Sequence, residues 1–189
     1  YSTTVCAGSP VTFTINTSDP NAGQGTVITW NGGIAGATFT TSGSPFQTAT
    51  FSWTPTLADI GNNNFAVQVT DNACPLSGSN QYGFTLVVTP PLTPANAGTD
   101  LVSCGSATMQ AQQPYPQIPG TWSVITGSGT FTPPDAPNAQ VTGMAVGTNV
   151  YQWSMNYGLC GISTDQVTVT NYDPGQAAAN AGPDQALCM

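Results

Sequence analysis

Hydrophobic and polar residues alternate one by one over short stretches of this chain. Val11, Phe13 and Ile15 alternate with Thr12, Thr14 and Asn16, which predicts a strand with one buried and one wet face. Phe65, Val67 and Val69 do the same against Ala66, Gln68 and Thr70, as do Phe84, Leu86 and Val88 against Thr85 and Val87. Later come Trp122 and Val124, then Tyr151, Trp153 and Met155, then Val167 and Val169. Between these runs, Asn31-Gly32-Gly33, Asn62-Asn63-Asn64 and Gly127-Ser128-Gly129 read as turns. With 21 Gly and 16 Pro, no long window of good helix formers exists. Short, regularly spaced strands with turn chemistry between them predict an all-β chain of β-sandwich type.

Repetition sets the domain organisation. Ala95-Asn96-Ala97-Gly98-Thr99-Asp100-Leu101-Val102-Ser103-Cys104 recurs as Ala179-Asn180-Ala181-Gly182-Pro183-Asp184-Gln185-Ala186-Leu187-Cys188, a period of 84 residues. That length suits one small sandwich. The reading is a first, differently written module over 1–89, a second over 90–174, and over 175–189 the start of a third module, which implies a longer parent chain. Thr89-Pro90-Pro91-Leu92-Thr93-Pro94 reads as a stiff, extended connector, because proline fixes φ.

Composition narrows the chemistry. The 189 residues include no Lys, Arg or His, and the formal charge of −8 comes from Asp alone. Without a cation the chain has nothing to neutralise phosphates, so neither nucleic acid nor an anionic membrane surface is an expected partner. No apolar run is long enough for a transmembrane helix, and residues 1–4 show no basic or apolar leader. Catalysis would have to rest on Asp, Cys, Ser, Thr or Tyr. A carboxylate dyad is the one conceivable form, yet the Asp residues sit in turn-like contexts such as Asp19-Pro20, Asp135-Ala136-Pro137 and Asp173-Pro174. The expectation is a protein that is not an enzyme and needs no cofactor.

Five cysteines remain. One pair per module is the economical assignment, Cys6 with Cys74 and Cys104 with Cys160, leaving Cys188 unpaired in this segment. Such staples are common in small extracellular sandwiches. No Cys-x-x-Cys spacing points to zinc.

A family resemblance follows from the repeated motif Asn180-Ala181-Gly182-Pro183-Asp184-Gln185-Ala186-Leu187-Cys188, and from Gly120-Thr121-Trp122-Ser123-Val124, Gly127-Ser128-Gly129-Thr130, Val141-Thr142-Gly143, Gly147-Thr148-Asn149, Trp153 and Cys160-Gly161. This second module resembles the PKD-like, immunoglobulin-like repeats of Bacteroidota surface proteins. Through Ser18-Asp19-Pro20, Gly36-Ala37-Thr38-Phe39, Phe51-Ser52-Trp53-Thr54-Pro55-Thr56, Asp59-Ile60-Gly61 and Val69-Thr70-Asp71, the first resembles related cadherin-like or Ig-like repeats. Such repeats are similar to those of giant type 9-secreted adhesins, including adhesins of gliding motility.

The resemblance implies tandem immunoglobulin-like (PKD-like) β-sandwich modules in an extracellular, cell-surface filament or adhesin for attachment or gliding. Its partners would be neighbouring modules of the same chain, with extracellular polysaccharide or a surface as further candidates. The cadherin-like likeness also implies structural calcium at Asp19 and Asp71, joined by Asp100. Against this, Asn21-Ala22-Gly23-Gln24 stands where related repeats carry more acids, so turn capping is the competing role. The alternative function is a carbohydrate-binding module. Of its candidate aromatics, Trp30, Trp53, Trp122 and Trp153, three lie on strand faces that suit a core, while Tyr115 and Tyr157 are better placed for exposure.

Overall fold

A computed structural model describes residues 1–21, 23–173 and 175. Its first seven strands are β1 (Ser2–Cys6), β2 (Val11–Asn16), β3 (Thr26–Trp30), β4 (Thr38–Ser42), β5 (Thr48–Trp53), β6 (Gly61–Asp71) and β7 (Ser79–Thr89), with a 3-10 turn at Leu57–Asp59. The next seven are β8 (Leu101–Ser103), β9 (Ser106–Thr108), β10 (Gly120–Thr126), β11 (Thr130–Thr132), β12 (Gln140–Thr142), β13 (Gly147–Asn156) and β14 (Ile162–Asn171), with a 3-10 turn at Gly158–Cys160.

Each set of seven forms a four-stranded and a three-stranded sheet. The orders are β1-β7-β6-β3 with β2-β5-β4, and β8-β14-β13-β10 with β9-β12-β11. Strand for strand the second module repeats the first. In both, the opening strand runs parallel to the closing one, Cys6 level with Thr89 in β1–β7 and Ser103 level with Asn171 in β8–β14. The fold is all-β, two tandem β-sandwich modules.

Contacts divide the chain into two compact units. The first holds Tyr1–Thr93 together with Asn156–Ile162, and the second holds Pro94–Met155 together with the described residues that follow Ile162. The division thus falls just inside the proline-rich connector, whose residues 90–95 form neither strand nor helix. The motif copy expected to open a third module, with Cys188 at its end, lies outside the described residues.

The core of the first unit is a column of rings. Phe51 stacks on Phe65 at 4.8 Å, Phe65 on Phe84 at 4.8 Å, and Phe13 on Phe51 at 5.0 Å. Trp30 meets Phe51 and Phe65 edge-on. These rings come from β2, β3, β5, β6 and β7, so the column ties the two sheets together, each pair adding roughly 0.5–1.5 kcal/mol beyond the area it buries. Val67, Leu86 and Val88 fill the remaining space, as their alternation predicts.

In the second unit Trp122, Tyr151, Trp153, Met155, Val141, Val167 and Val169 are buried. One expectation changes here. Val124 shares Trp122's parity but is exposed, and the pairing of β10 with β13 shifts just beyond it, between Val124 and Thr126. A bulge of this kind turns the strand and ends its regular alternation.

The Asn62-Asn63-Asn64 cluster is not a turn; it opens β6. The Asn63 amide donates back to the carbonyls of Asp59 and Gly61, sealing the strand entry. Asn149, at the same place in β13, is fully buried and donates to Ala145 and Gly147, while its Oδ1 accepts from the Ser128 N–H at 3.0 Å. Glycine is required opposite it. At Gly127 φ is +84°, and a Cβ there would stand 2.1 Å from Asn149 Oδ1. Asn149→Ala takes the acceptor from the Ser128 N–H and a donor from the Gly147 carbonyl, while the Ala145 carbonyl keeps the Asn171 amide, so a loss of about 1–3 kcal/mol is expected in guanidinium titrations. A change within error would show that water replaces the amide at no cost.

Candidate functional site

Opening and closing strands run parallel, and this decides the disulfide. Cys6 lies at the Thr89 end of β7, whereas Cys74, in the β6–β7 turn, precedes Ser79 at the other end. The eleven residues of β7 therefore hold the two cysteines roughly 33 Å apart at about 3.3 Å per residue, far beyond the reach of a disulfide. The expected pairs Cys6–Cys74 and Cys104–Cys160 are not formed. Instead Cys6 bonds Cys160, with Cα atoms 5.8 Å apart, and Cys74 and Cys104 are free, exposed thiols. Cys160 belongs to the Asn156–Ile162 segment of the first unit, where its sulfur also lies against the Thr89 hydroxyl at 2.9 Å.

The carboxylates hold turns and strand entries. Asp19 accepts from the Asn21 N–H, and Asp71 accepts from the N–H groups of Ala73 and Gly78 at 3.0 and 2.8 Å. Asp100 accepts from the Thr168 N–H, and in return Asp165 accepts from the Ala97 N–H. Asn96 Oδ1 closes a tight turn on the Gly98 N–H. The repeated Asn-Ala-Gly-x-Asp motif is thereby a clasp that fastens the entry of β8 against β14. Among the described residues no group of three or more cysteine and carboxylate side chains could hold a metal ion. Asp19, Asp71 and Asp100, the calcium candidates, are each engaged as backbone acceptors.

Asp59 caps the first 3-10 turn. Hydrogen bonds from the Thr56 backbone N–H and hydroxyl hold its carboxyl below the ordinary 3.8. With a lowered folded value, its contribution is present above that ordinary pH and is lost as pH falls through the folded value. Tyr151 moves the other way. Burial raises its phenol while the hydroxyl donates to the Ser128 carbonyl at 2.6 Å.

The aromatic candidates are redistributed. Trp53, Trp122 and Trp153 are core residues and Trp30 is half-buried against Phe39. Tyr157, expected at the surface, is 1% exposed, and Tyr115 is half-buried. Exposed tyrosines lie elsewhere: Tyr172 at the end of the second set of strands, and Tyr1 and Tyr82, 6.5 Å apart in the first unit. Tyr1 and Tyr82 line a groove of about 410 Å³ with Phe13, Ile15, Asn16 and Phe84, between β2 and the strands β6 and β7. No charged side chain lines it. Tyr82 continues the parity of Phe84, Leu86 and Val88 along β7, and that extra step of the stripe was the signal available in the sequence.

No family model matches the chain, and no curated protein matches it. Solved structures do. The eight N-terminal Ig domains of Down Syndrome Cell Adhesion Molecule isoform 1.30.30 align with a TM-score of 0.57 at 14% identity, over 88% of this chain and 23% of that one. Extracellular domains 3–5 of Drosophila OTK align with a TM-score of 0.56 at 10% identity, over 90% and 59%. The chain thus spans less than two thirds of either. A PKD domain from the KIAA 1837 protein aligns at 20% identity over 47% of this chain and 96% of its own length, with a TM-score of 0.39. Identities this low speak to fold alone, and it is the two multidomain structures, at TM-scores of 0.57 and 0.56, that share this chain's tandem β-sandwich fold.

Proposed function

We propose that this chain is a structural and adhesive repeat segment of a long extracellular filament or adhesin, serving surface attachment or gliding motility. One observation carries the reading: two modules with the same strand order follow one another, and the clasp motif that opens the second returns 84 residues on. Repeated modules that need only their neighbours extend a chain without enlarging any single core. The chemistry supports a non-catalytic role, since the carboxylates bind backbone N–H groups and no Lys, Arg or His accompanies them. A disulfide-bonded, cation-free chain suits the cell exterior, where disulfides persist. Neighbouring modules are its proposed partners.

One observation favours carbohydrate binding as a second reading. The Tyr1–Tyr82 groove offers aromatic rings together with Asn16 and no charged side chain, a combination suited to a neutral sugar. Electron microscopy of the parent protein separates the two. A filament is expected, with deletion of 1–175 shortening it or impairing attachment. A parent of unchanged length and attachment after that deletion, together with glycan binding that Tyr82→Ala abolishes, would replace the filament reading with the lectin one.

A further inference from the structure

The two modules carry their cysteines at matching places. Cys6 ends β1, and Cys104 follows β8, the strand that takes β1's position. Cys74 lies in the turn between β6 and β7, and Cys160 in the equivalent turn between β13 and β14. In either module the two positions stand at opposite ends of the closing strand. For the second, Ser103 is level with Asn171 while Cys160 precedes Ile162. Ten residues of β14 intervene, roughly 30 Å at about 3 Å per residue, just as β7 intervenes between Cys6 and Cys74. Neither module can bond its own two cysteines. The bond that does form joins the first-strand cysteine of one module to the last-turn cysteine of the module after it in sequence.

We infer that Cys6–Cys160 is one rung of a repeating series, in which the first-strand cysteine of each module bonds the last-turn cysteine of the next. Cys104 is then the attachment point for the last-turn cysteine of a following module, and Cys74 for the first-strand cysteine of a preceding one. The inference rests on the reading of the chain as a run of repeated modules. Three observations carry it. The matching pair is bonded in this chain, the two unmatched sulfurs are exposed thiols, and the Cys104 motif recurs at Cys188. The geometry explains why these two thiols are unbonded here, since each lies a strand length from the cysteine of its own module.

Closing a rung oxidises two thiols to one disulfide, and the oxidant is a disulfide of the thiol-exchange class. One cysteine thiolate attacks a sulfur of that oxidant and expels the other as a thiolate, leaving a mixed disulfide. The second cysteine thiolate attacks the mixed disulfide at the protein sulfur, the new S–S bond forms, and the oxidant departs as two thiols carrying the two protons.

Non-reducing peptide mapping of the parent protein, taken from cells after free thiols are alkylated in acid, tests the series. The chain has no Lys or Arg for trypsin, so cleavage is made at Asp and at aromatic residues. Cys74 and Cys104 are expected to escape alkylation. Each should appear crosslinked to a peptide from outside 1–189 of the same chain, Cys74 to a first-strand cysteine and Cys104 to a last-turn one. Cys104→Ser should expose one new alkylated cysteine, in the last turn of the following module. Alkylated Cys74 or Cys104 in the unmutated parent, a Cys74–Cys104 or Cys104–Cys188 bond, or a crosslink between two copies overturns the inference, whether or not the variant is exported. A filament found with any of these leaves the filament reading standing; a parent without further modules removes both.

Discussion

Trp153→Ala is expected to lower the unfolding free energy of the second unit by about 3–5 kcal/mol. The side chain is fully buried, its ring lies 5.1 Å from that of Trp122, and its Nε1 donates to the Gln112 carbonyl at 3.2 Å. Truncation opens a cavity and leaves that carbonyl without its donor. Gly120 completes the same contact. It faces Met155 across β10 and β13, and a Cβ built on it would stand 2.0 Å from the Trp153 Cζ2. Gly120→Ala therefore overpacks the site, at a cost of about 1–3 kcal/mol. Once Trp153 is gone the collision has no partner, so the glycine change should cost far less in the Trp153→Ala background. Guanidinium titrations followed by circular dichroism close the double-mutant cycle. Additive losses would mean that the ring and the glycine do not meet.

Reduction of Cys6–Cys160 should produce the other large effect. The bond spans a sequence separation of 154 residues, and in the chain-entropy view loops of that order contribute about 4–5 kcal/mol, with measured disulfides closer to 2–4 kcal/mol. Cys6→Ser and Cys160→Ser are each expected to lower stability by an amount in that range, and the double variant by no more than either. Reductant should reproduce the loss in the unmutated chain and do nothing further to the variants. In the isolated 1–189 chain Cys74→Ser and Cys104→Ser remove exposed thiols and should stay within about 0.5 kcal/mol. Destabilisation by Cys74→Ser with none by Cys160→Ser would reinstate the pairing expected from the sequence.

Much of the scaffold was legible from local pattern. The stripes Val11-Phe13-Ile15, Phe65-Val67-Val69, Phe84-Leu86-Val88 and Tyr151-Trp153-Met155 all lie within strands of the structure. Turn chemistry was read less well where a polar residue does structural work inside an element. Asn63 resembles a turn former by composition, yet it sits within a strand, because its amide satisfies the carbonyls of the residues that lead in. Tyr157 precedes a glycine and reads as a surface residue, but it is buried with the Asn156–Ile162 segment in the first unit.

What the sequence determined by itself was the strand content, the inward faces, the repeat, and the absence of any positive side chain. Alternation is a property of residues two apart, and composition needs no structure at all. The partner of Cys6 was decided only by tertiary structure. Pairing β1 parallel to β7 sends Cys6 to the strand end remote from Cys74, whereas antiparallel pairing would have brought the two together. Strand direction is settled by hydrogen bonds between segments some eighty residues apart, as from Thr3 to Leu86, and nothing in the spacing of five cysteines encodes it.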